Sequence, residues 1–141
     1  MYEKELKELI ENNSVYKLKG ASEITIREIE EKLNVSLPDS YKWILSEYGS
    51  VCFYGIDIDG IGLNNTLISV DKTIGWKEYS IPEGYVVVYE PGADWIYCLD
   101  TFKMYNGECP VVAWYPGNNY SDREADNLYE FIIDRLDLQK D

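Results

Sequence analysis

An α+β fold follows from the order in which two kinds of hydrophobic pattern appear along this chain. Apolar residues recur at helical spacing from the N-terminus to about residue 49, gather in short alternating or continuous runs through residue 115, and return to helical spacing near the C-terminus. Short, turn-rich gaps separate the runs, which favours an antiparallel meander over parallel strands joined by helices. The predicted architecture is N-terminal helices, a mostly antiparallel sheet meander, and a C-terminal helix packed on the sheet, with residues 1–141 as one domain.

Each element has its own signal. Tyr2, Leu6, Leu9 and Ile10 form a first helical stripe that Asn12-Asn13-Ser14 breaks. A second helix starts after Gly20, with Ser22 as N-cap and Glu23 suited to the positive end of the helix dipole, and carries Ile26, Ile29 and Leu33 to an end near Asn34. A third opens at Leu37-Pro38, repeats Tyr41, Ile44, Leu45 and Tyr48 on one face, and stops at Gly49. Gly55 to Gly60 alternates apolar and acidic residues as a half-exposed strand does. Asn64-Asn65 marks a turn, and Leu67, Ile68 and Val70 read as a further strand. Tyr85–Tyr89 and Trp95–Leu99 are strong strands around the hairpin loop Glu90–Asp94, and Asn106-Gly107 is a turn before the strand Pro110–Tyr115. The final helix is expected to begin at Ser121, where Ser121-Asp122-Arg123-Glu124 has capping-box form, and to bury Leu128, Phe131, Ile132 and Leu136.

Composition narrows the function. The chain has no histidine, which removes Ser-His-Asp and Cys-His catalysis and the usual near-neutral general base. Cys52, Cys98 and Cys109 lie far apart and form no C-x-x-C pair, so they read as structural thiols and not as a zinc or redox centre. The net charge is −13. Such a field repels nucleic-acid phosphates and anionic lipid and attracts a basic protein. Residues 51–117 carry nine acidic and three basic groups, the section least neutralised by its own cations. No apolar run approaches the roughly 20 residues that cross a bilayer, and the charged N-terminus lacks the apolar stretch of a signal peptide, so a cytoplasmic location is expected.

Three carboxylate features could carry chemistry. Asp57-Ile58-Asp59 has the D-x-D form of some metal sites, but an EF-hand loop counted from Asp57 would need glutamate where Ile68 stands. No metal or other cofactor is expected. Paired carboxylates for hydrolysis have no distinguishing spacing in the sequence. Glu30, at the edge of an apolar helical stripe, reads as an acid held by backbone donors. The residues that most suit a partner surface are Asp57, Asp59, Glu90, Asp94, Trp95 and Asp100, with Trp76 and Trp114 as aromatic anchors beside the uncompensated acids. Alternation divides the Trp95 strand: Trp95, Tyr97 and Leu99 share one face, and Ile96, Cys98 and Asp100 the other.

The order Gly20-Ala21-Ser22, Ile26, Glu30, Leu37-Pro38, Tyr41, Leu45 and Tyr48-Gly49 resembles the N-terminal signature of the SUKH superfamily. Pro82-Glu83-Gly84-Tyr85, Tyr97-Cys98-Leu99-Asp100, Pro110-Val111-Val112 before Trp114, and Asn127–Ile132 continue the likeness over about residues 20–135. Gly49-Ser50 departs from it, since the family pattern often has two glycines there. The resemblance implies an α+β domain without common catalytic residues. It further implies an intracellular immunity protein that binds and neutralises a cognate toxin encoded nearby, many such toxins being nucleases. A fungal cell-wall synthesis regulator in the same superfamily offers the alternative of a regulatory scaffold. No binding residue carries over, because each member's surface follows its own partner.

Overall fold

The computed structural model describes residues 3–17, 19–53 and 56–139. Tyr2 and Gly55, assigned above to the first helix and the first strand, lie outside them. Helix α1 (Glu3–Asn13) buries Leu6 and Ile10 and leads into a short strand β1 (Ser14–Lys17), which the sequence reading did not assign. Helix α2 (Glu23–Leu33) starts as expected, with the Ser22 hydroxyl accepting the Thr25 N–H. It ends on Asn34 in the left-handed conformation. The Glu30 carboxylate accepts the Leu37 N–H at 2.7 Å, so that acid ties the helix to the segment after it.

Helix α3 (Asp39–Tyr48) buries Tyr41, Ile44, Leu45 and Tyr48. Gly49, at φ +73°, accomplishes the chain reversal there, and a side chain at this position would run into the Lys19 carbonyl. Ser50 fills the place where a second glycine was anticipated. Its hydroxyl accepts the Gly60 N–H at 2.8 Å and donates to the Ile61 carbonyl at 3.0 Å, bridging the two ends of the following hairpin.

That hairpin is β2 (Val51–Phe53) and β3 (Ile56–Ile58), which with β1 makes an antiparallel three-stranded sheet in the order β1-β2-β3. Asn64 and Asn65 both adopt positive φ in a 3₁₀ turn, as their turn chemistry suggests. The strand expected at Leu67–Val70 is a correction: Ile68–Gly75 is helix α4, burying Ser69, Val70 and Thr73, and a 3₁₀ turn at Trp76–Tyr79 prolongs it. Three- and four-residue spacing of the buried positions, not alternation, is the period that packing selects here.

The second sheet is the meander β4 (Tyr85–Tyr89), β5 (Ile96–Asp100), β6 (Val111–Tyr115) and β7 (Tyr120–Ala125), antiparallel throughout. Strand β7 is the second correction. The segment Ser121–Glu124, expected to open the last helix, is a charged edge strand hydrogen-bonded to β6, and charge on such an edge deters pairing with other chains. The helix α5 starts later, at Leu128–Gln139, and its cap is Asn127, whose side-chain oxygen accepts the Glu130 N–H at 2.9 Å. Leu128, Phe131, Ile132 and Leu136 are buried as anticipated.

The sheet is covered on both faces. Val86, Val88, Tyr97, Leu99, Val111 and Ala113 join the main core with α1, α2, α3 and α5. Val87, Ile96, Cys98, Val112 and Trp114 form a smaller core on the opposite face, closed by Trp76, Ile81 and Tyr85. Strand β4 borders both sheets. Its Val88 carbonyl accepts the Asp59 N–H at 2.7 Å, and its Val87 N–H donates to the Thr73 hydroxyl of α4 at 2.9 Å. Among the described residues, no helix is long and apolar enough to cross a membrane.

Candidate functional site

The junction between the two sheets gathers the carboxylates. Ile56 and Ile58 of β3 point into the core, so alternation turns Asp57 outward, opposite Cys52 on β2. Asp59 follows at the end of the strand and is fixed by its backbone: its N–H is bonded to Val88 and its carbonyl accepts the Tyr41 hydroxyl at 2.6 Å. Its carboxylate pairs with Lys72 of α4 at 2.7 Å. Glu90 comes in from the end of β4, where its Oε1 accepts the Trp76 indole N–H at 2.8 Å.

Trp76 is held from beneath as well. Its ring stands edge-on to Trp114, with centroids 5.8 Å apart, and lies 5.1 Å from Tyr79. Trp114 is itself fully buried, with 0 % exposure, and its indole N–H reaches the Asn119 side-chain oxygen at 3.4 Å. Asp57, Asp59, Glu90 and Trp76 therefore form one group, with Tyr79 exposed at its edge.

Burial, with neighbouring negative charge added to it, displaces proton equilibria here. Burial raises the Asp59 carboxyl above its ordinary value; Lys72 opposes this, and the charges of Asp57 and Glu90 add to it. The Cys52 thiol is pushed up to about 11, first by burial, then by its hydrogen bond to Asp57 and the charges of Asp57 and Asp59. Tyr89 is raised by burial and by Asp57. A raised thiol is a poor nucleophile. Among the described residues, no three His, Cys, Asp or Glu side chains come together to hold a metal ion.

The other expected residues fall elsewhere. Asp94 is exposed in the hairpin loop that begins at Glu90. Trp95 is half-buried against Tyr97 and Tyr115 on the main-core face. Asp100 is a correction: it is buried at the far end of β5, 3.8 Å from Lys103. Trp114 is a second one, since a fully covered ring cannot insert into a partner and serves instead as the floor under Trp76. Sequence reasoning missed Lys72, the counter-cation of Asp59, because it lies just past the strand expected at Leu67–Val70, in a stretch with no element assigned. The helical spacing of Leu67, Val70 and Ile74 was the available signal.

What this arrangement offers is a half-buried group of carboxylates, one paired with Lys72 and one bonded to the Trp76 indole, an electrostatic character that complements cationic surfaces. The comparisons with known proteins agree with the fold. The SUKH_5 family profile, described as SMI1-KNR4 cell-wall, matches residues 2–137. The chain is also similar to the uncharacterized protein YnaB of Bacillus subtilis (strain 168), 37% identical over 90 residues, which make up 62% of this chain and 55% of that protein. With nearly its whole length matched, the chain belongs to the SUKH_5 (SMI1-KNR4 cell-wall) family.

Proposed function

We propose that this chain is an immunity protein acting in the cytoplasm, which binds a cognate toxin domain, a basic nuclease encoded nearby, and neutralises it by occluding its active site. The observation that carries this reading is the clustering of Asp57, Asp59 and Glu90 at the junction of the sheets, with Glu90 bonded to the indole of Trp76. Carboxylates so placed occupy positions that substrate phosphates take on a nuclease, and Trp76 supplies the desolvated anchor that a tight interface needs. Asp94 and Trp95, on the hairpin that starts at Glu90, extend the surface. Trp114 supports it from within. The role is binding and not catalysis, with neither nucleic acid nor membrane as partner, because a net charge of −13 opposes both.

The test is calorimetric titration with the C-terminal domain of the protein encoded immediately upstream, at low and at physiological salt, with nuclease activity assayed alongside. Nanomolar affinity, loss of activity and an association rate that falls as salt rises are the expected results. Absence of binding would overturn the reading. A Kd unchanged in the double variant D57K/D59K would remove these carboxylates from the interface.

A further inference from the structure

At the opposite end of β4 from Glu90, a large aromatic side chain stands exposed against the backbone of Gly84. Phe102 is 64 % exposed. It sits in the 3₁₀ turn Thr101–Lys103, and Thr101 fastens that turn to the Gly84 carbonyl twice, through its N–H at 3.0 Å and its hydroxyl at 2.5 Å. The ring lies directly over Gly84, which adopts φ +86°. A Cβ there would come within 2.6 Å of the ring carbons. The turn and the glycine together fix where the ring sits.

Hollows open on either side of this ring. One, of about 390 Å³, lies between the end of α2 and the Ile81–Tyr85 segment and takes in Leu33 and Ile81. The other, of about 720 Å³, follows residues 30–36 and takes in Val35 and Met104. Phe102 and Asn34 line both, so the two hollows adjoin at these residues and are taken together as one depression. Its rim is acidic on balance. Among the described residues Glu31 and Glu83 border it without an ion pair, the C-terminal end of the α2 dipole points the same way, and Lys77 is the cation lining one hollow.

We propose that this depression is a second docking surface, which receives an extended segment of a protein partner, with an apolar side chain in the hollow on each side of Phe102 and a lysine or arginine against Glu31 and Glu83. Aromatic side chains bind with few rotatable bonds to immobilise, which keeps the entropic cost of docking low. Charge selects the occupant. A second copy of this chain would bring its own −13 to an already acidic rim, whereas a basic segment is drawn to it. The site does not depend on the immunity reading, because it shares no residue with the group at Asp57, Asp59, Glu90 and Trp76.

The experiment uses the full chain as bait for a phage-displayed random dodecapeptide library, followed by titration of the selected synthetic peptides against variants. The expected outcome is enrichment of peptides that combine apolar side chains with Lys or Arg, whose Kd rises at least tenfold in F102S and several-fold in E31Q/E83Q while D57N/D59N leaves it unchanged. Phe102→Leu, which keeps an apolar side chain, should restore part of the affinity, and circular dichroism should show all variants folded. Failure to enrich any peptide, selection of acidic peptides, or binding indifferent to F102S would overturn the proposal. So would sedimentation showing a dimer that F102S dissociates, since the occupant would then be a second copy.

Discussion

The carboxylate of Glu108 caps the helix at Ser40 from 68 residues away, accepting its backbone N–H at 3.0 Å on Oε2 and its hydroxyl at 2.5 Å on Oε1. Helix α3 needs this because Pro38, its N-cap residue, has no side-chain oxygen to offer. The Asn106-Gly107 turn delivers Glu108 there, and the Gly107 carbonyl accepts the Asp39 N–H at 2.7 Å. A negative group at a helix N-terminus is favoured by the dipole as well as by its hydrogen bonds. Glu108→Ala should therefore lower stability by about 2 kcal/mol, and the Tm by about 4 °C for each kcal/mol, with Glu108→Gln losing less. Thermal melts followed by circular dichroism decide this; an unchanged Tm in E108A would show that the cap contributes nothing.

A smaller loss is expected at the last helix, and it discriminates between two starting points. Asn127→Ala removes the hydrogen bond to the Glu130 N–H and should cost about 1 kcal/mol. Glu124→Gln touches only a partly exposed pair with Arg135, 3.5 Å away, and should stay within about 0.5 kcal/mol. The reverse ranking in urea unfolding would contradict Asn127 as the cap.

Asp59 gives a pH signature. Its carboxyl titrates above the ordinary 3.8 because burial outweighs the pairing with Lys72, so the native state holds that proton more tightly than the unfolded chain does. Ionising it then costs native stability: the cost is absent below pH 3.8 and is fully present once pH has passed the native titration point. In Asp59→Asn the cost is missing. Urea unfolding at stepped pH should show the stability of D59N relative to the parent protein improving between about pH 3.5 and pH 7. A difference that is flat across this range would contradict the assignment.

Cys52 and Asp57 make a chemical test of the acidic surface. With its thiol pushed up to about 11, Cys52 should react slowly with iodoacetamide at pH 8, and Asp57→Asn should speed that reaction several-fold by removing a hydrogen bond and a charge. Cys98 and Cys109 are buried and should stay unmodified in the native protein. Mass spectrometry of the alkylated peptides separates the three sites.

The elements that could be read from sequence are those whose local chemistry and packing agree. Ser22 caps α2, Asn34 and Gly49 end α2 and α3, and the Glu90–Asp94 loop joins two antiparallel strands, each decided by residues within a few positions. Leu67–Val70 reads as a strand because a short apolar run fits either period; the burial of Ser69, Val70 and Thr73 on one helical face is what decides it. Tyr120–Ala125 carries a helix-start pattern yet becomes a strand, because β6 offers it a ladder of hydrogen bonds that local propensity cannot anticipate. The site divides along the same line. Asp57 is turned outward by alternation, whereas Asp59 is set by its contacts to Val88 and Lys72, and Asp100 and Trp114 are lost to the interior because both faces of β5 and β6 are covered, facts set by distant segments.

The hydroxyl of Thr73 on the Val87 amide has a consequence for how the molecule opens. That amide hydrogen is shielded by one side chain of an eight-residue helix and not by a neighbouring strand, so it becomes free to exchange whenever α4 lifts, even while the rest of the meander stays paired. Lys72 sits one residue before Thr73 and holds Asp59, which makes the Val87 amide a single-proton gauge of events at the carboxylates. A ligand that clamps Asp59 and Lys72 in place slows its exchange, and one that pries them apart hastens it.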